Sequence, residues 1–117
     1  MANSTFEPRC WEIWMAIVRF EEDPEKIKER PVMICPDGAV FISYPITSHD
    51  IRENDPLDYP ISKWKEAGLH HQSTLRLGKR IRLEKSHLLR RLGALAIEDV
   101  YFIHRALKKC AQQNRRI

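Results

Sequence analysis

Two apolar runs rich in β-branched residues, joined by Asp37-Gly38, constrain this chain more than any other stretch. The segment Arg30-Pro31-Val32-Met33-Ile34-Cys35-Pro36-Asp37-Gly38-Ala39-Val40-Phe41-Ile42-Ser43-Tyr44-Pro45-Ile46-Thr47-Ser48-His49 predicts a β-hairpin, because Asp-Gly is preferred at the tip of a two-residue turn. An arginine opens the first strand and Thr47-Ser48-His49 closes the second. With the turn centred on Asp37-Gly38, Pro36 faces Ala39, Arg30 faces Pro45 and Thr47 faces Lys28. Opposed residues share a sheet face, so Arg30 and Thr47 become diagonal neighbours on one face. A three-residue loop moves the pairing by one position and puts them on opposite faces.

The rest of the chain fits around one small β domain. A length of 117 residues gives a single unit with room for a core and little surplus. No apolar run approaches a membrane span and no signal-peptide pattern opens the sequence. Cys10, Cys35 and Cys110 are scattered, with neither a disulfide framework nor a zinc spacing, which suits a reducing cytoplasm. The formal charge of +4 only leans toward a polyanionic partner. Residues 1–9 read as a loose lead-in. The run from Trp11 to Phe20 is aromatic and β-branched, hence a strand. Its tryptophans, Trp11 and Trp14, read as core or dimer contacts, with base stacking the other use. Glu21 to Glu29 is charged, carries Pro24 and reads as a loop. A polar, mostly acidic loop follows the hairpin, and Tyr59-Pro60-Ile61 starts a short strand.

Ser73 to Leu83 alternates apolar and basic residues. Leu75, Leu77, Ile81 and Leu83 face inward, Arg76, Arg80 and Arg82 outward, with a kink or bulge at Gly78-Lys79. That outer row is either a solvated face or a phosphate track. Ser86 to Arg91 predicts a short helix ending near Gly93, and a second helix runs from about Ile97 to Gln112. Ile97, Val100, Tyr101, His104, Leu107 and Lys108 make its apolar stripe, so His104 reads as buried or interfacial. Residues 113–117 form a basic tail that frays. His70 and His71 invite a metal reading, but neighbours on a strand point to opposite faces and no Cys or acid completes a site, so no metal or cofactor is expected. His71 or Ser73 could touch RNA, with nothing to select either. Cys35 reads as core filler rather than a nucleophile, since no charged neighbour would activate its thiol.

Arg30-Pro31-Val32 with its following strand, and then Pro45-Ile46-Thr47-Ser48, resembles the core of the MazF/PemK family of bacterial toxins. The aromatic first strand, Trp64-Lys65-Glu66-Ala67-Gly68-Leu69 and Leu92-Gly93-Ala94-Leu95 are similar in kind to family segments. The resemblance implies a mainly β fold, a small SH3-like antiparallel β-barrel with a C-terminal helix, dimerising as a homodimer. It implies a metal-independent endoribonuclease that cuts single-stranded RNA in the cytoplasm and is restrained by a cognate antitoxin. The antitoxin's disordered tail would cover the RNA groove and carry acidic residues against a basic cleft. Carried over by motif, Arg30 and Thr47 are the catalytic pair. Glu25, Lys26, Lys28 and Ser48, with Arg76 and Arg80, are the candidate RNA contacts, although surface charges of this kind are equally often only solvated. This chain has Lys26-Ile27-Lys28-Glu29 where relatives often carry glycines before the Arg-Pro, and its hairpin is shorter than in many of them.

Metal-free RNA cleavage uses the ribose 2′-hydroxyl against the adjacent phosphate, and negative charge gathers on the phosphate oxygens. A guanidinium at Arg30 suits the phosphate and a hydroxyl at Thr47 suits a non-bridging oxygen. A guanidinium keeps its proton past about pH 12, so it makes a poor resting base. His49 shares a face with Thr47 if the strand persists and is then the candidate for proton transfer; otherwise it opens a loop into solvent. Two other readings share the architecture. One is a barrel that binds RNA or protein without cutting, against which the presence of both Arg30 and Thr47 weighs. The other is a gyrase-poisoning toxin, but those end in Trp-Gly-Ile on the last helix whereas this chain ends Arg115-Arg116-Ile117.

Overall fold

The computed structural model describes residues 7–19, 25–48 and 57–115, with side chains as far as 109. These form β1 (Glu12–Arg19), β2 (Ile27–Asp37), β3 (Val40–Thr47), β4 (Asp58–Pro60), β5 (Thr74–Arg76), β6 (Ile81–Leu83), a 3-10 turn (Lys85–His87), β7 (Leu88–Ala94) and α1 (Ile97–Arg115). The fold is mainly β: one antiparallel sheet in the order β4-β5-β3-β2-β1-β7, with β6 also paired to β3, and one C-terminal helix. The sheet is not closed by hydrogen bonds, but β6 and β7, at opposite ends of the path β6-β3-β2-β1-β7, are joined through the short 3-10 turn. This is compatible with the barrel-like fold expected.

Strand alternation divides the apolar residues between two cores. Trp14, Ala16 and Val18 of β1, Val32 and Ile34 of β2, Phe41, Leu83 and Leu88 fill one face. Ile13, Met33, Ile42, Tyr44, Ile46 and Leu75 fill the other, beneath Ile61, Ala67, Leu69 and Ile103 of the loop and helix. Burying Val32, Met33 and Ile34 contributes about 2 kcal/mol each.

The hairpin forms, with its turn one residue further on. Asp37 pairs with Val40, so Gly38 and Ala39 are the central residues. Gly38 has φ +65° and Ala39 is not left-handed, the pattern of a type II′ turn with glycine first rather than a type I′ turn on Asp-Gly. The register therefore moves by two positions, which preserves which residues share a face. β2 also starts at Ile27, three residues before Arg30, because Arg19 to Val18 of β1 pair with Ile27 and Lys28. The loop expected to reach Glu29 ends sooner.

The kink expected at Gly78-Lys79 is a full break. β5 pairs with Ile46 and Thr47, β6 with Phe41 to Ser43, and the strand is interrupted between them. Residues 88–94, expected in part as a helix, are strand β7, whose partner is the free edge of β1. Leucine spacing there fits either structure, and sheet pairing outweighs local propensity. The helix continues through Arg115, past the expected end at Gln112. Its inward face also differs: Asp99 and Ile103 are fully buried, whereas Ile97 is 80% exposed and His104 lies in solvent, meeting Trp11 edge-on at 6.2 Å. Cys10 and Cys35, far apart in sequence, meet in space, with sulfurs 2.9 Å apart. Residues 7–9 are tied down, Pro8 being buried and Glu7 paired to Lys85 at 3.0 Å.

Asp99 sets the helix. Its Oδ1 accepts from the Tyr59 hydroxyl at 2.7 Å and the Ser62 amide at 2.9 Å, and its Oδ2 accepts from the Lys63 amide at 2.9 Å. Asp99→Ala would take away the shared acceptor of two amides and a hydroxyl at a part-buried site and leave a gap where a fully buried side chain stood, so we expect a loss of about 3 kcal/mol in denaturant unfolding. Burial, then the bond to and charge of Asp99, push the Tyr59 hydroxyl up to about 12. From its ordinary value of 10.0 up to about 12, the unfolded chain gives up a proton that the fold keeps. Stability present below pH 10 is therefore lost as the pH rises toward 12. Comparing wild type with Tyr59→Phe from pH 9 upward should show this decline only in wild type, over and above any slope common to both.

Candidate active site at a fork between two strands

The β2–β3 ladder runs from Asp37–Val40 to Val32–Pro45 and stops. Beyond that pair β2 stays with β1, through Arg30–Ala16 to Ile27–Arg19. β3 turns instead to β5, pairing Ile46 with Leu75 and Thr47 with Thr74. Pro31 and Pro45 stand at this point on the two strands, and neither has an N–H to donate. Alternation from the hairpin-closing Asp37–Val40 pair turns Pro31 toward β3 but Pro45 away from β2, so the ladder loses a donor at Pro31, and here it opens into a fork.

A cleft of about 360 Å³ lies at the fork. Lys28, Glu29, Arg30 and Pro31 line it from β2, and Ile46, Thr47 and Ser48 from the end of β3. Continuing the register two residues past its last pair sets Arg30 across from Thr47, closer than the diagonal expected from a turn at Asp37-Gly38. Both side chains are half-buried, so each is held by the protein while still open to a ligand.

Of the other expected contacts, Glu25 and Lys26 are exposed and do not line the cleft. Arg76 is half-buried on β5 and Arg80 is exposed in the break before β6, and both lie outside it. Arg82 lines a separate groove with Ile17, Val18, Arg19 and Ile27, so the arginines expected to form one row are dispersed by the break. His49 lies outside the described residues.

The opposite wall comes from residues that the sequence did not select. Gly68, Leu69, His70, His71 and Ser73 line the cleft from one side, with Arg90 and Leu92 of β7. His70 and His71 sit in a bend before β5 rather than on a strand, so both reach the same cleft instead of opposite faces. Ser73 steadies that bend by donating its hydroxyl to the His71 carbonyl at 2.8 Å. Among the described residues no group of three or more His, Cys, Asp or Glu is placed to share a metal ion. Arg90 is hidden in the sequence, where the leucine spacing suits a helix; as a β7 residue it stands opposite Met15, itself in the cleft.

The wall is held against β7 by two glycines. A Cβ on Gly68 would sit 2.2 Å from the Leu92 carbonyl oxygen, and a Cβ on Gly93 2.2 Å from that of Ala67. Gly68 also has φ +92°, which L side chains rarely adopt. Backbone therefore packs directly on backbone here.

A sequence model of a known family, described as PemK-like, MazF-like toxin of type II toxin-antitoxin system, matches residues 9–111. This chain belongs to that family. Membership makes it a toxin of the type II class and implies an antitoxin partner. The matched span takes in the fork, the cleft and most of α1 of this PemK/MazF-like chain. No curated protein sequence matches it. Among the described residues, no helix is long and apolar enough to cross a membrane.

Replacing either glycine would force the walls apart. Gly68→Ala and Gly93→Ala should each cost about 3 kcal/mol of stability, read by denaturant unfolding.

Proposed function

We propose that this PemK/MazF-like toxin is a metal-independent endoribonuclease that cuts single-stranded RNA in a sequence-dependent way, and so inhibits translation and growth. The observation that carries the reading is the fork, with Arg30 on one prong and Thr47 on the other, facing a single cleft. The 2′-oxygen of a bound ribose bonds to the adjacent phosphorus as the 5′-oxygen leaves, giving a cyclic phosphate and a 5′-hydroxyl end. Arg30 holds the phosphate and offsets the charge that grows on its oxygens, while the Thr47 hydroxyl donates to a non-bridging oxygen. Ser48 and Lys28, in the same cleft, position the strand, and Glu25 and Lys26 extend the RNA path along the approach to β2. Arg76 and Arg80 serve RNA outside the cleft.

His49 is the proposed proton acceptor, two residues beyond Thr47. The toxin acts in the cytoplasm as a homodimer, and an acidic antitoxin segment occupies the cleft in the restrained state.

The test is cleavage of a long single-stranded RNA in EDTA. Wild type should cut at a short recurring sequence, and Arg30→Ala and Thr47→Ala should each lose about 10²–10³-fold in rate while remaining folded. RNA bound but left intact by wild type would turn the reading to a non-catalytic binder, and neither binding nor cutting would point to a protein target. His49→Ala should remove the acidic limb of rate dependence on pH, where protonation of the acceptor slows wild type, and an unchanged rate–pH profile discards its role.

A further inference from the structure

The turn that leads into β1 carries two features that the cleft does not explain. Trp11 has φ +72°, a left-handed conformation that is a marked outlier for so bulky a residue. Its backbone is held in place from two sides: the Trp11 amide donates to the Ile34 carbonyl of β2, and the Leu95 amide, between β7 and α1, donates to the Trp11 carbonyl, both at 2.9 Å. Directly before it, the Cys10 thiol donates to the Cys35 sulfur at 2.9 Å, across 25 residues of chain. Cys10 is exposed and Cys35 is half-buried.

We propose that Cys10 and Cys35 are a redox-convertible latch, whose closure to a disulfide pins the strained turn at Trp11 onto β2. The sulfurs need approach by less than 1 Å to reach the bond length of about 2.05 Å. A small disulfide such as oxidised glutathione is the oxidant. The Cys10 thiolate attacks one of its sulfurs, forming a mixed disulfide and expelling one thiolate, which takes up a proton. The Cys35 sulfur, giving up its proton, then attacks Cys10 Sγ, forms the Cys10–Cys35 bond and expels the second thiolate. The two thiols lose two electrons and two protons, and the oxidant leaves as two thiols.

Exposure fixes the order of attack. Cys10 can be reached from solvent, whereas burial above all pushes the Cys35 thiol up to about 12 and keeps it from attacking first. A mixed disulfide on Cys10 sets its electrophilic sulfur directly beside Cys35, which becomes the resolving thiol by proximity. The latch stands apart from the cleft, since Cys35 lies near the opposite end of β2 from Arg30. Its effect falls on the stability of the fold, because closing this loop removes freedom from the unfolded chain.

The full-length protein is treated with oxidised glutathione, quenched with an alkylating reagent, digested and read by mass spectrometry, with thermal unfolding in parallel. A peptide linking Cys10 to Cys35 should dominate, and Tm should rise by about 10 °C, reversibly with dithiothreitol. Cys110→Ser should keep both effects. Cys35→Ser should lose both, and Cys10→Ser, at an exposed side chain, does the same without disturbing the interior. Glutathione retained on Cys10, a link between two copies, no reaction at either thiol, or a link with unchanged Tm would each overturn the proposal.

Discussion

One missing amide proton, at Pro31, marks the end of the molecule where the two strands part. Pro31 and Pro45 stand where the β2–β3 ladder ends, and past them each strand takes a different neighbour. A continuous hairpin would have buried the space between Arg30 and Thr47 under backbone hydrogen bonds. The fork leaves that space open, with both residues still fixed by strands on their outer sides. The half-buried arginine and threonine are therefore positioned by ladders they share with β1 and β5, and no flexible loop is needed to present them.

The far wall depends on close backbone contact and on one buried charge. Gly68 and Gly93 admit an approach that any side chain would block, bringing His70 and His71 up to the cleft. Asp99 holds the other end of the same segment through the amides of Ser62 and Lys63 and the hydroxyl of Tyr59. The helix thus acts on the cleft through the loop it anchors, and a substitution at Asp99 is felt at a distance.

Much of this was readable in the residues. Period-two alternation and Asp37-Gly38 made the hairpin evident, and a turn displaced by one residue still left Arg30 and Thr47 on one face. Three things were hidden for physical reasons. Leu88 to Leu92 satisfies helical and strand spacing alike, and only the unpaired edge of β1 decides between them. The inward face of α1 is set by a carboxylate, so an apolar stripe through Ile97 and Tyr101 points the wrong way. His70 and His71 looked opposed because a strand was assumed, and a bend brings them together. Cys10 and Cys35 meet only because β1 folds back along β2, a long-range fact invisible in their spacing.

The break between β5 and β6 has a bearing on how such a molecule fails. β3 is shared by two partners, and the part that carries Thr47 is held by the three-residue β5, itself bound to the three-residue β4. Arg30 belongs to the longer β1–β2 ladder. Short strands open at lower free energy than long ones. Partial melting of β4 and β5 would release Thr47 while Arg30 stayed in place, so mild stress would open the fork well before the molecule came apart.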